Sequence, residues 1–173
     1  MSQFIPTKIY TLGDYYRDRG LRQACHEIKQ GENLAMRSIA MDFVDLFANR
    51  PPRGAVLVPV PSLTGYNETF CRVLGYSLGL PVREDLLWRS VEHGSLYALK
   101  RQGVVPTEEM TGIRPGRGIP PSEDIILVDN VIATGTTMSA ALRAIGRPCD
   151  ALCIALDYKT FKKANPDITI PTA

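Results

Sequence analysis

Apolar positions along this chain follow two alternating rhythms. Residues 55–58 (Ala-Val-Leu-Val), 125–128 (Ile-Ile-Leu-Val) and 151–156 (Ala-Leu-Cys-Ile-Ala-Leu) are unbroken aliphatic runs, which suits strands of a parallel sheet buried on both faces. Between them the apolar residues return every three or four positions. Met36, Ile39, Ala40, Phe43, Val44 and Phe47 mark a helix over 33–48, ended by Asn49 and the Pro51-Pro52 pair. Phe70, Val73, Leu74 and Leu78 mark a second over 68–78, stopped by Gly79 and Pro81, and residues 138–145 a third, stopped by Gly146 and Pro148. Stripes of this kind face a core. Residues 9–12 read as a short strand, 21–30 as a helical turn or two before Gly31, and 82–88 as a strand near the sheet edge. Strands alternating with helices predict an α/β fold: a mostly parallel sheet flanked by helices, with one crevice at its carboxyl edge.

The pattern places polar residues where that crevice should lie. Asp129 is expected at the carboxyl end of the strand over 125–128, and ligands of open α/β sheets sit outside such ends. The turn Thr134-Gly135-Thr136-Thr137 then opens the third helix. A turn of this type aims unpaired backbone N–H groups and the positive helix end at one point, which makes an anion site best suited to phosphate. The threonine hydroxyls add donors. A second loop follows the strand over 55–58. Its prolines, 59 and 61, preset the backbone, while Ser62, Thr64 and Gly65 supply donors and allow close approach. An ordinary strand-loop-helix unit without a ligand is the plain alternative for either loop.

Composition narrows the function without naming it. The 173 residues suit one domain, and 45% hydrophobic content can fill a core. Twenty Lys and Arg against eighteen Asp and Glu give +2, so no broad field points to nucleic acid or a membrane surface. No stretch has the length and apolarity of a membrane span, and the first residues lack the layout of a signal peptide, so a cytoplasmic protein is expected. Cys25, Cys71, Cys149 and Cys153 form no C-x-x-C pair and only His26 and His93 accompany them; a zinc site is not expected. Cys25 next to His26 carries no assigned chemistry, because neighbours on a helix project in different directions. No Ser/His/Asp or Cys/His constellation is present.

The run of four apolar residues, Asp129, a short apolar stretch and Thr134-Gly135-Thr136-Thr137 resembles the phosphoribosyl pyrophosphate (PRPP) motif of type I phosphoribosyltransferases. Val58-Pro59-Val60-Pro61-Ser62, followed by Gly65-Tyr66-Asn67, is similar to the V-P-V-P and R-G-F-N of ComF-type members, as is Ile28-Lys29-Gln30-Gly31 to their N-terminal pattern. The resemblance covers most of residues 28–157 and implies one phosphoribosyltransferase-like domain with a flexible loop over the site. It further implies that Ala133, Thr134, Gly135, Thr136 and Thr137 hold the ribose 5-phosphate and that Asp129 and Asn130 contact the ribose hydroxyls. Pro61, Ser62, Leu63, Thr64 and Gly65 would receive pyrophosphate. The chain departs from the pattern in four ways: Asn130 stands where the second acid is usual, Ala133 where Thr is common, the loop over 61–67 is shorter and lacks arginines, and the zinc ribbon of many members is absent. An amide brings no negative charge to the developing oxocarbenium, so the implied catalysis would lack some of its electrostatic stabilisation, whereas binding keeps its hydrogen bond.

The resemblance leaves two further sets of residues open. Residues 95–101 read as a mobile arm, and Arg89, Lys100 and Arg101 are either the basic residues that reach pyrophosphate oxygens or a solvated basic turn. Asp157 and Tyr158 either contact the acceptor or simply end their strand. Residues 165–173 read as a peripheral tail. The implied activity is Mg²⁺-dependent transfer of a phosphoribosyl group from PRPP to a nitrogen acceptor, the metal arriving on the phosphates. The rival is a PRPP or nucleoside 5′-monophosphate sensor without turnover, or an accessory factor in DNA uptake. A homodimer is left open.

Overall fold

The computed structural model describes residues 5–90, 96–118 and 121–170. Four parallel strands form the main sheet in the order β1 (Ile9–Asp14), β6 (Asp150–Leu156), β5 (Ile125–Ile132) and β2 (Val56–Pro59). Side chains alternate across it, so each aliphatic run serves two cores. Leu57, Ile126, Val128, Leu152 and Ile154 face α1 (Arg19–Lys29), α2 (Asn33–Leu46) and α3 (Tyr66–Leu78), where they meet Cys25, Ile28, Met36, Phe43, Phe70 and Leu74. Val56, Val58, Leu127 and Cys153 face α5 (Thr136–Ile145) and α6 (Tyr158–Ala164), where they meet Met138, Ala141, Leu142 and Phe161. Helices therefore cover both faces, as the uninterrupted apolar strands require. No helix among the described residues is long and apolar enough to cross a membrane.

Several expected elements take a different form. The central strand does not end at Val128. Pairing with β6 carries it on through Asp129, opposite Cys153, to Ile132, opposite Leu156. On its other side β2 stops at Pro59, opposite Val128, and the last bond there runs from Val60 N to Val128 O. The expected end thus exists on one side only, and Asp129 stands where the two strands part. Residues 82–88 are not one strand. Val82 makes a single parallel bridge to Leu57, while β3 (Leu87–Arg89) pairs antiparallel with β4 (Ile113–Pro115). Between them Arg83 grips Asp85 at 2.7 Å, two residues on, and the chain turns.

The arm expected over 95–101 contains α4 (Leu96–Arg101); Ser95 and the Lys100 side chain fall outside the described residues. The tail is not peripheral over its described part. Ile168 is buried in the core, Thr169 bridges Lys8 and accepts a bond from Ile9 N, and Asn165 is 2% exposed. A run without periodicity can still dock when one apolar residue and a few backbone groups find partners.

Candidate functional site

The chain leaves β2 for α3 on one face of the sheet and leaves β5 for α5 on the other. Adjacent parallel strands whose connections diverge in this way open a crevice at their carboxyl ends. Here it is a cleft of about 510 Å³. Asn67, fully buried, pins the two strands at its floor: its amide donates to Val60 O and to Val128 O, both at 2.8 Å. Both helices that start at the cleft do so from a glycine in the left-handed region, Gly65 at φ 77° and Gly135 at φ 85°, a conformation that glycine adopts without steric cost. Neither glycine can cap its helix with a side chain, so first-turn N–H groups are left for other partners.

Around α5 the loop is shaped by small polar contacts. Thr134 Oγ1 and Thr136 Oγ1 lie 2.9 Å apart, and Thr136 N reaches Thr134 Oγ1 at 3.5 Å. Asn165 donates to Thr134 O and Phe161 O from below, and the Phe161 ring would stand 3.2 Å from a Cβ at Gly135. No acidic residue lies in the first turn of α5. On its outer side Ser139 Oγ and Arg143 Nε both donate to Glu108, at 2.6 and 2.7 Å. These bonds hold the segment that brings Pro106 to the cleft.

Asp129 supplies the cleft's carboxylate. Burial raises its pKa to about 6 against the opposing pull of the Asn130 N–H, which donates at 2.7 Å, and of the Lys29 and Arg89 charges. Arg89 lines the same cleft, and burial lowers its pKa against the attraction of Asp129 and Glu68. The Tyr66 hydroxyl, shifted well upward by burial and then by Asp129, lies beside the Asn130 amide. The buried Cys25 thiol is pushed up to about 12 by desolvation, so it is no activated nucleophile.

The structure gathers many of the expected residues and separates others. Asp129, Ala133 to Thr137, Pro61 to Thr64 and Arg89 line one cleft. Gly65 lies just behind, facing a neighbouring depression with Lys29 and Thr69. Asn130 is not in the cleft: it is fully buried, its amide donating to Cys25 O at 3.0 Å. Successive residues of a strand point to opposite faces, so Asn130 cannot share the cleft with Asp129. Asp157 and Tyr158 are not in the cleft either. They line a separate depression with Asp14 and Arg17, and Asp157 caps α6 by accepting from Thr160 N at 3.0 Å. Arg101 is exposed and does not line the cleft. Tyr66 and Asn67 belong to the loop expected over 61–67, whereas Lys29, Glu68 and Asn165 carry no site expectation from the sequence, although Glu68 stands in the first turn of α3.

Among the described residues no group of three or more His, Cys, Asp or Glu side chains could hold a metal ion. With Asp129 the carboxylate in the cleft, a Mg²⁺ ion there would take most of its oxygen ligands from phosphates and water, as this ion commonly does.

No family model matches the sequence, and no curated protein is significantly similar to it. Among solved structures the chain is similar to adenine phosphoribosyltransferase from Trypanosoma brucei, determined with AMP, pyrophosphate and ribose-5-phosphate, at 16% identity and TM-score 0.46, over 80% of this chain and 63% of that one. It is also similar to the adenine phosphoribosyltransferases of Leishmania donovani (16%, TM-score 0.48, 82% and 64%) and Saccharomyces cerevisiae (14%, TM-score 0.47, 91% and 81%). The chain thus spans less than two thirds of the length of the first two. These are likenesses of backbone course, and any function has to be read from the cleft.

Proposed function

We propose that the cleft binds PRPP and that the protein is a phosphoribosyltransferase of the ComF-like type, passing the phosphoribosyl group to a nitrogen acceptor. The observation that carries the reading is the pairing of the open head of α5 with the Asp129 carboxylate in one cleft at the parting of β2 and β5. The 5-phosphate would take the N–H groups and hydroxyls of residues 133–137. Asp129 would accept from the ribose hydroxyls. As the acceptor nitrogen bonds to C1 and the bond from C1 to pyrophosphate breaks, its electron pair leaves with pyrophosphate and the ring gains positive charge. A partly desolvated carboxylate beside the ring stabilises that charge more than one in water does. Mg²⁺, carried on the phosphates, would offset the charge of the leaving group.

A specific observation favours the rival reading, a PRPP or nucleotide sensor without turnover: Asn130 is neutral and withdrawn behind the strand, so a single acid faces the ribose. Calorimetric titration with PRPP, with and without Mg²⁺, tests the common part. Binding should weaken at least about tenfold in Asp129→Ala, the loss of one or two charge-assisted hydrogen bonds. An intact native protein that binds no PRPP overturns both readings. Pyrophosphate release in the presence of a panel of nucleobases separates them, since a sensor releases none.

A further inference from the structure

We propose that Glu68 takes up the donors of the second loop, so that without a divalent cation the cleft draws its affinity from the phosphate held at α5 and a diphosphate gains no foothold at residues 61–65. The inference rests on the phosphoribosyl reading of the site and goes beyond it, because it concerns which phosphate esters the cleft prefers.

The two helix heads share a backbone device and differ in what their donors meet. At α3 the Glu68 carboxylate turns back on the loop, accepting from Ser62 N at 3.1 Å and from Ser62 Oγ at 2.7 Å. Ser62 Oγ in turn accepts from Asn67 N, in the first turn of α3, at 3.2 Å. A hydroxyl and two N–H groups that an anion would need are therefore closed into an internal circuit that ends on a negative charge. A carboxylate is itself stabilised in the first turn of a helix, so it gains what a bound phosphate would gain. At α5, among the described residues, no donor of the loop is given to a charged group, and no acid stands in the first turn.

The cations tell the same story. Arg89 is drawn to both Asp129 and Glu68, and Lys29 to Asp129. Two positive and two negative side chains thus lie within electrostatic reach of one another near the cleft. A phosphomonoester at α5 leaves this balance at α3 intact. A second phosphate group at residues 61–65 would have to displace Glu68 or sit against it, with Arg89 shared three ways. Such crowding of like charge disfavours the ligand. A pentose or nucleoside 5′-monophosphate then already carries every group the cleft recognises, and the diphosphate of PRPP adds little unless a divalent cation comes with it.

The test is calorimetric titration in EDTA with ribose 5-phosphate, PRPP and inorganic pyrophosphate, on the native protein, Glu68→Gln and Glu68→Ala. The native protein should bind PRPP within about threefold of ribose 5-phosphate and bind pyrophosphate at least about tenfold more weakly than either. Glu68→Gln keeps an amide oxygen for Ser62 and loses the charge; it should raise affinity for PRPP and pyrophosphate at least about tenfold, about 1.4 kcal/mol. Its gain for ribose 5-phosphate should stay under about threefold. Tight pyrophosphate binding by the native protein, or no gain in either variant, overturns the proposal. If ribose 5-phosphate fails to bind at all, the phosphoribosyl reading falls, while a pyrophosphate site that appears only in the variants would still uphold the role of Glu68. Should the variants not fold, the native ratios decide.

Discussion

The heads of α3 and α5 are two copies of one backbone solution put to opposite use. Each follows a parallel strand and starts from a left-handed glycine at the same cleft. At the α5 loop the hydrogen-bond partners of Thr134 and Thr136 are neutral, and the loop is held from outside by Asn165. Around α3 the neighbours include a carboxylate, and the loop is held from within by Ser62, Asn67 and Glu68. The difference teaches that a glycine turn before a helix makes donors available, whereas the side chains of the first helical turn decide whether a ligand can have them.

The comparison can be broken at its shared floor. Asn67→Ala removes both bonds that pin Val60 and Val128 and leaves two buried carbonyls with one partner fewer, so stability measured by urea unfolding should fall by about 3 kcal/mol. A loss below about 1 kcal/mol would mean that the strands do not need this pin. The next largest effect should come from the glycines. Gly135→Ala meets both the left-handed penalty and the Phe161 ring, and should cost about 2 kcal/mol and weaken ribose 5-phosphate binding roughly tenfold. Gly65→Ala, with nothing within 4 Å of the new methyl, should cost about 1 kcal/mol. Equal costs would show that the α5 loop is no tighter than its counterpart.

The smallest effect sharpens the electrostatics. Asp129 titrates near 6 in the folded protein and in the ordinary carboxylate range when unfolded, so the folded state holds this proton more firmly. The resulting cost to stability is absent below about pH 4, grows as the pH rises to about 6, and is complete above it. Asp129→Asn should therefore be more stable than the native protein at pH 7.5, by about 1 kcal/mol after allowance for water in the cleft, and the gain should vanish at pH 4. Thermal unfolding at the two pH values checks the sign.

What the sequence reveals follows the range of the interactions concerned. The aliphatic runs, the stripe from Met36 to Phe47 and the turn at Gly135 are local patterns, and they place the α/β sheet and one loop of the cleft correctly. Asn67 and Asn165 act through partners far along the chain, Val128 and Thr134, which no local pattern indicates. Asn130 is different, because a signal was present: once residues 125–132 are read as one strand, alternation sends residues 129 and 130 to opposite faces. The polarity of the pair hid the continuation through Val131 and Ile132, and pairing with β6 outweighed it. Residues 82–88 misled for the converse reason, since a mixed run without an internal break bends at residues 85–86, where Asp85 O and Leu86 O accept from Gly118 N and Gly116 N far along the chain.

Both margins of the main sheet are partly covered. Beyond β1, Ile9 N donates to Thr169 O and Lys8 bridges Thr169; beyond β2, Leu57 donates to Pro81 O and accepts from Arg83 N. Unoccupied backbone along an outer strand is a template on which another chain can extend the sheet, and the chain fills part of that template with short stretches of itself. The buried aliphatic strands that make the cleft's foundation are also the segments most prone to cross-β stacking when exposed. Residues 81–83 and 168–169 thus act as selvedges, which keep a cloth from fraying or being stitched to the next.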